Sequence, residues 1–136
     1  MIIPHPNSVT FDGLPIIDVA FLLIDQHATR ELIEWSDGGP HPVFADIVER
    51  RTTITLIRTP SRAEPALPAI SAAGELTLVF SDAGTNTDAA RKRLTATCVV
   101  REIASTPTGP AGIRQSISLI ALSSDGASDP IVIQAA

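Results

Sequence analysis

One pattern runs through the chain of 136 residues from end to end: apolar and polar residues alternate at period two. Successive side chains of a strand point to opposite faces, so this period lays one row toward a core and the other toward water. A helix needs apolar groups three and four residues apart, and no long segment supplies that spacing. The pattern predicts about seven or eight strands joined by turns of Gly, Pro, Asp and Ser. That is an all-β chain, an antiparallel sandwich or barrel, β-rich with one short helix at most. At this length residues 1–136 form a single domain with room for a real core.

Ser8-Val9-Thr10-Phe11 ends at the turn pair Asp12-Gly13. Residues 14–24 then read as a strand apolar on both faces, with Ile17, Val19, Phe21 and Leu23 on one and Ile16, Ala20, Leu22 and Ile24 on the other. Such a strand must be covered on both sides. Asp25-Gln26-His27-Ala28 reads as a turn into a strand over 29–35, and residues 36–42 as a loop. The run 45–59 has a charged first half and an apolar second half. About 13 of its residues would span roughly 43 Å, well beyond the usual strand of about 5 to 6. It predicts a strand that leaves the core as one arm of a hairpin, with a bulge midway.

Residues 60–73 hold three prolines (Pro60, Pro65, Pro68) and read as a connection. Gly74 opens a strand with Leu76, Leu78 and Phe80 inward. Leu94, Ala96, Cys98 and Val100 form the inward row of the next, which turns at Thr108-Gly109-Pro110-Ala111-Gly112 into a strand over 113–122. A turn-rich stretch, 123–129, leads to a short last strand at Ile131-Val132-Ile133.

The search for chemistry returns little. His5, His27 and His41 fall in three separate turns or termini, whereas a zinc site needs three or four converging ligands. Cys98 is the one cysteine and reads as a small core residue. No Gly-x-Ser-x-Gly elbow or Ser-x-x-Lys pair occurs. The Asp-Gly pairs at 12–13, 37–38 and 125–126 are explained by left-handed turn geometry. A net charge of −5 opposes phosphate-driven nucleic-acid binding, and 4% aromatic residues leave little for stacking on bases or sugars. No catalytic residue, metal or cofactor is expected, and no enzyme. No apolar run approaches the roughly 18 to 20 residues of a membrane helix. The start, Met1-Ile2-Ile3-Pro4-His5-Pro6, has no basic region or cleavage site, so the expected compartment is the cytoplasm of synthesis.

What remains is surface. The doubly apolar run 16–24 needs a cover that this chain barely supplies, and a neighbouring subunit can provide it. Long strands with open edges also invite pairing between chains. Both features predict an oligomer.

Several segments together resemble the major tail tube proteins of long-tailed bacteriophages, which are similar in fold to the ring protein of type VI secretion. They are the early strand pair closing on Ser36-Asp37-Gly38, and Val43-Phe44-Ala45-Asp46-Ile47-Val48 running into the strand over 52–58. Gly74-Glu75-Leu76-Thr77-Leu78, the strand over 94–101 with its Gly-Pro turn, and Ser123-Ser124-Asp125-Gly126 before Asp129-Pro130 complete the set. Family members pack a helix against the barrel; here only 62–73 or 88–93 has room for one. The resemblance implies a structural virion protein. Its hexameric rings would stack into a hollow tail tube, with inner strands joined into one barrel that conducts DNA at ejection. Implied partners are further copies of the chain, the tape measure, the tail terminator and the baseplate. DNA would only pass through, and no membrane is involved. The implied location is the virion tail, assembled in the host cytoplasm.

By the same resemblance residues 1–8 form an N-terminal arm and 36–46 a protruding loop, both placed for contact between rings. Candidate subunit contacts are Ile17, Val19, Phe21 and Leu23 from the doubly apolar strand, with Asp37, His41, Phe44 and Asp46 from the loop. Candidate lumen residues are Thr95, Thr97, Arg114, Ser116 and Ser118. Two other readings compete: a tail-end or baseplate ring subunit, and a monomeric β-sandwich binding module.

Overall fold

The computed structural model describes residues 1–59, 68–81, 91–109 and 112–135, without the side chains of residues 47, 48, 108, 109 and 112. These residues form nine strands: β1 (Ile2–Pro4), β2 (Ser8–Phe11), β3 (Leu14–Pro15), β4 (Val19–Trp35), β5 (Pro42–Arg58), β6 (Ala73–Ser81), β7 (Arg91–Gly109), β8 (Gly112–Leu122) and β9 (Val132–Ala135). All pairings are antiparallel within a single sheet ordered β1-β4-β5-β8-β7-β6-β2-β3, with β9 beside β7. No helix occurs among the described residues. Of the two stretches with room for one, 60–67 and 82–90 lie outside the described residues, 68–72 is an irregular connection, and Arg91-Lys92-Arg93 opens β7.

The expected sandwich or barrel is one sheet, curled and not hydrogen-bonded shut. Its curl follows from connectivity. β1 lies at one end of the strand order and β2 next to the other, yet only residues 5–7 join them. So short a link spans about 10 Å, and the two ends of the sheet must therefore approach each other. The inward rows meet across that curl in one cluster that includes Ile3, Phe11, Leu22, Leu56, Leu78 and Leu119. Burying each of the larger side chains contributes about 1.5–3 kcal/mol, which makes this cluster the main source of stability. The inward row predicted on β7 (Leu94, Ala96, Cys98, Val100) is buried as expected.

Three local features depart from the sequence reading. Residues 14–24 are not one strand: β3 ends at Pro15, Asp18 takes φ +61°, and β4 begins at Val19. A register shift between Val19 and Phe21 then turns Val19 toward the core, while Phe21 and Leu23 stay on the outer row. The turn expected at 25–28 is absent, because β4 runs unbroken for 17 residues against β5, also 17. The one bulge expected midway in β5 matches the register shift between Arg30 and Glu31, where Glu49 and Ile47 are their partners, and a second shift lies between Ala28 and Arg30. The turn at Asp12-Gly13 is as read, with φ +50° and +82°, the left-handed pair that a two-residue hairpin turn requires. Gly126 is also left-handed at φ +78°, whereas Gly38 is not, so turn geometry explains two of the three Asp-Gly pairs.

Among the described residues the core has one charged member. Arg58 is fully buried on the inward row of β5, where Nη1 donates to Gln115 Oε1 at 2.9 Å and Nε to the Ile17 carbonyl at 3.2 Å. Gln115 Nε2 reaches Ser105 Oγ at 3.5 Å, and Arg58 Nη2 has no partner among the described residues. Arg58 thereby ties the irregular segment before β4 to the centre of the sheet.

Candidate functional site

Two surfaces stand out, and β4 and β5 build most of both. The first is the outer face of the sheet. Rows cross it strand by strand: Phe21–Ile57–Ser116–Ala104, then Leu23–Thr55–Ser118–Glu102, then Asp25–Thr53–Ile120–Val99. Opposite-face alternation puts these groups outside wherever their neighbours Leu22, Leu56 and Ile117 are in the core. Arg114, two residues before Ser116, lies over the Phe21 ring at 5.4 Å from its centroid, within cation–π range.

The five candidate lumen residues all lie on this outer face, but in two groups. Ser116, Ser118 and Arg114 sit at the sheet centre, while Thr97 pairs with Leu122 and Thr95 with Thr77 and Val132 further along β7. Phe21 and Leu23, read as subunit contacts, share the face with Ser116 and Ser118. Contact and lumen candidates are therefore neighbours here, not opposite sides. Ile17 lies in the irregular segment, 47% exposed, and Val19 packs against the core.

The second surface is a two-stranded arm. β5 pairs with β8 only over residues 53–58; beyond Thr53 its 42–52 stretch has β4 as sole partner among the described residues. β1 covers the far side of β4 only from Phe21 to Leu23. The outer half of the hairpin thus has both edges open, and of its described side chains all but Thr52, at the base, are exposed. Leu32, Ile33, Trp35, Val43 and Phe44 are large apolar groups on it, with Trp35 60% and Val43 65% exposed. Cross-strand pairing puts Leu32 opposite Asp46 and Glu34 opposite Phe44, so these four share one face. Asp37 and His41 lie in the connecting turn, exposed.

The protruding element is therefore larger than the loop 36–46; it extends back to Gln26 and Thr52. Residues 1–8 are not a free arm: Met1 and Ile24 exchange backbone hydrogen bonds at 2.9 and 2.8 Å, and Ile3 is buried in the core. The sequence reading missed Leu32, Ile33 and Trp35 as surface groups of the arm. With both faces in water nothing enforces alternation along 25–35, so the periodic signal is lost there. Equal strand length on either side of Ser36-Asp37-Gly38 was the available clue.

A cleft of about 400 Å³ sits where the arm meets the body, lined by Gln26, Arg50 and Thr52 from the arm and by Ser128 and Asp129 from the loop after β8. Asp125 organises that loop. Its carboxylate accepts from Ser128 N at 2.8 Å, Ala127 N at 2.9 Å, Ser128 Oγ at 2.8 Å and Ser123 Oγ at 3.0 Å. The Ser128 and Ala127 amides, then the two hydroxyls, hold the Asp125 carboxyl well below the usual carboxylate range. Gln26 Nε2 then reaches Asp129 Oδ1 and Thr52 Oγ1, at 3.5 and 3.4 Å, bracing the arm against the loop. Elsewhere burial pushes the Cys98 thiol up to about 12, which leaves it protonated and unreactive. Among the described residues no group of three or more His, Cys, Asp or Glu is placed to hold a metal ion.

No protein-family model matches the chain, and no curated protein matches it by sequence. Among solved structures it is similar to a chain of an extracellular contractile injection system, the PVC sheath–tube complex in its extended state. The TM-score is 0.53 at 16% identity, covering 98% of this chain and 92% of that one. At that identity the likeness is one of fold, and it runs the whole length of two chains of nearly equal size. This chain thus shares an all-β fold with a chain of that sheath–tube complex.

Proposed function

We propose that this chain is a self-assembling structural subunit of a phage-type tail tube. Copies form hexameric rings that stack into a hollow conduit for DNA, in contact with tape measure, terminator and baseplate proteins at assembly. The role is mechanical and involves no catalysis. The observation that carries the reading is the arm: a hairpin half whose described side chains are all exposed beyond its base, yet which bears Leu32, Ile33, Trp35, Val43 and Phe44. A two-stranded ribbon is marginal in water and apolar groups so placed favour a partner. The end-to-end likeness in fold to a chain of a sheath–tube complex supports the same reading.

The outer face supplies the second half. Its Thr53, Thr55, Ser116 and Ser118 are uncharged and hydrogen-bonding, and the chain carries net −5. With Arg114 accompanied by Asp25 and Glu102 on the same face, a lumen lined this way holds a polyanion only weakly, so transit does not stall. Phe21 and Leu23 at the β4 side of that face would lie at the seam between subunits of a ring.

Electron microscopy of the purified protein tests the reading. Hollow tubes are expected. Single closed rings would instead favour a tail-end or baseplate subunit, and monodisperse monomers at high concentration would overturn self-assembly and leave a binding module.

A further inference from the structure

The sheet carries a second hairpin that runs off in the opposite direction from the arm. The β5–β8 ladder pairs residues 53–58 with 115–120. β5 continues past one end of that ladder into the arm, and β8 continues past the other toward the Gly109–Gly112 pair with β7. Among the described residues β7 from Glu102 to Gly109 pairs with β8 alone, so its other edge is open, as is that of β4 over 25–35.

The two projections differ in charge. The outer part of the arm, residues 31–46, holds Glu31, Glu34, Asp37 and Asp46 and no Lys or Arg, while Arg30, Arg50 and Arg51 stand with Glu49 nearer its base. The opposite hairpin, 101–114, holds Arg101 and Arg114 against Glu102, all three exposed. Two arms laid together would bring carboxylates face to face, whereas an arm laid on the opposite hairpin meets arginines. Like-charge juxtaposition rejects the first pairing and steering favours the second. Both open edges also carry register shifts beside charged residues, at Arg30 and at Arg101, a device that blunts indiscriminate edge pairing. An arm at one end and its complement at the other make a head-to-tail contact, the kind that propagates instead of closing on a dimer.

We propose that the arm face formed by Leu32, Glu34, Phe44 and Asp46 docks on the β7–β8 hairpin of a second copy of this chain, with Glu34 and Asp46 meeting Arg101 and Arg114. The contact rests on the self-assembly reading and names the two surfaces that join successive copies. Leu32 and Phe44 supply apolar area between the two carboxylates, and the arginines set the partner and its direction.

Reciprocal charge reversal tests it. One variant carries Glu34→Arg and Asp46→Arg, the other Arg101→Glu and Arg114→Glu, and both are followed by sedimentation velocity and electron microscopy beside the wild type. Each variant alone is expected to lose its larger assemblies by about tenfold or more at equal concentration. Mixing the two restores them, because each then offers the surface that the other needs. Wild-type assembly with no loss in either variant, or no recovery on mixing of two variants that keep the wild-type circular dichroism and melting point, overturns this contact and leaves the tube reading standing. A wild type that never assembles overturns both. Since Arg114 also packs over Phe21, Arg101→Glu alone serves in its place should the double variant fail to fold.

Discussion

β4 and β5 form one continuous ladder, yet its two halves live in different solvents. Over residues 19–24 and 53–58 the pair has β1 on one side and β8 on the other, and Leu22, Ile54 and Leu56 are fully buried. Over 25–35 and 42–51 the same kind of backbone pairing continues with no lateral neighbour among the described residues and the described side chains exposed. Hydrogen bonds are shared by both halves, so they do not account for the difference. The inner half is held by apolar burial; the outer half is held only by its attachment to the inner one and by the loop at its base. An element of that kind is marginal by itself and open to completion by something else.

Substitutions should separate the halves cleanly. The largest effect is expected at Leu56→Ala, where a fully buried side chain leaves a cavity and about 2–5 kcal/mol is lost in urea unfolding. Removing the side-chain partner of Arg58 comes next. Gln115→Leu leaves a buried guanidinium N–H without its acceptor, and about 1–3 kcal/mol should go in the same assay. Gly74→Ala should fall in a similar range, about 1–3 kcal/mol, because a Cβ there would stand 2.7 Å from the Asp12 Cβ in the β2–β3 turn.

On the arm, Trp35→Ala should change stability by no more than about 0.5 kcal/mol while reducing assembly, since the side chain touches water and not the core. A loss of several kcal/mol at Trp35 would mean that the arm is packed after all. The smallest expected effect is that of pH on the loop bracing the arm. The Asp125 carboxyl titrates below its unfolded value of about 3.9, so the unfolded chain binds more protons between the two values. Its contribution is therefore complete above about pH 4 and declines as the solution is acidified further. The gap between wild type and Asp125→Asn in urea midpoint should narrow over that acid range, and a gap that widened would reverse the sign assigned to Asp125.

Legibility from sequence followed the same division. Inward rows on β6 and β7 were plain because one face of each is dry, and burial keeps the alternation strict. The charged half of β5 was read correctly as an arm, since a strand of that length with charges on both faces has nowhere else to go. Its partner in β4 was not. Asp25, Gln26 and His27 resemble a turn in composition, and only the ladder with Thr53, Thr52 and Arg51 makes them a strand. The face assignment of Val19 failed for a different reason, a register shift of one residue that no local pattern announces.

Composition and alternation alone therefore settled that the chain is all-β, where most inward rows lie, and that one strand must leave the core. Tertiary pairing decided that the sheet is single and curled, that residues 2–4 are an edge strand, and that Phe21 and Leu23 share a face with Ser116 and Ser118. The physical reason is range. Alternation records whether a side chain meets water or protein, a property of each strand by itself, whereas sheet order and register depend on which distant strand supplies the neighbouring hydrogen bonds.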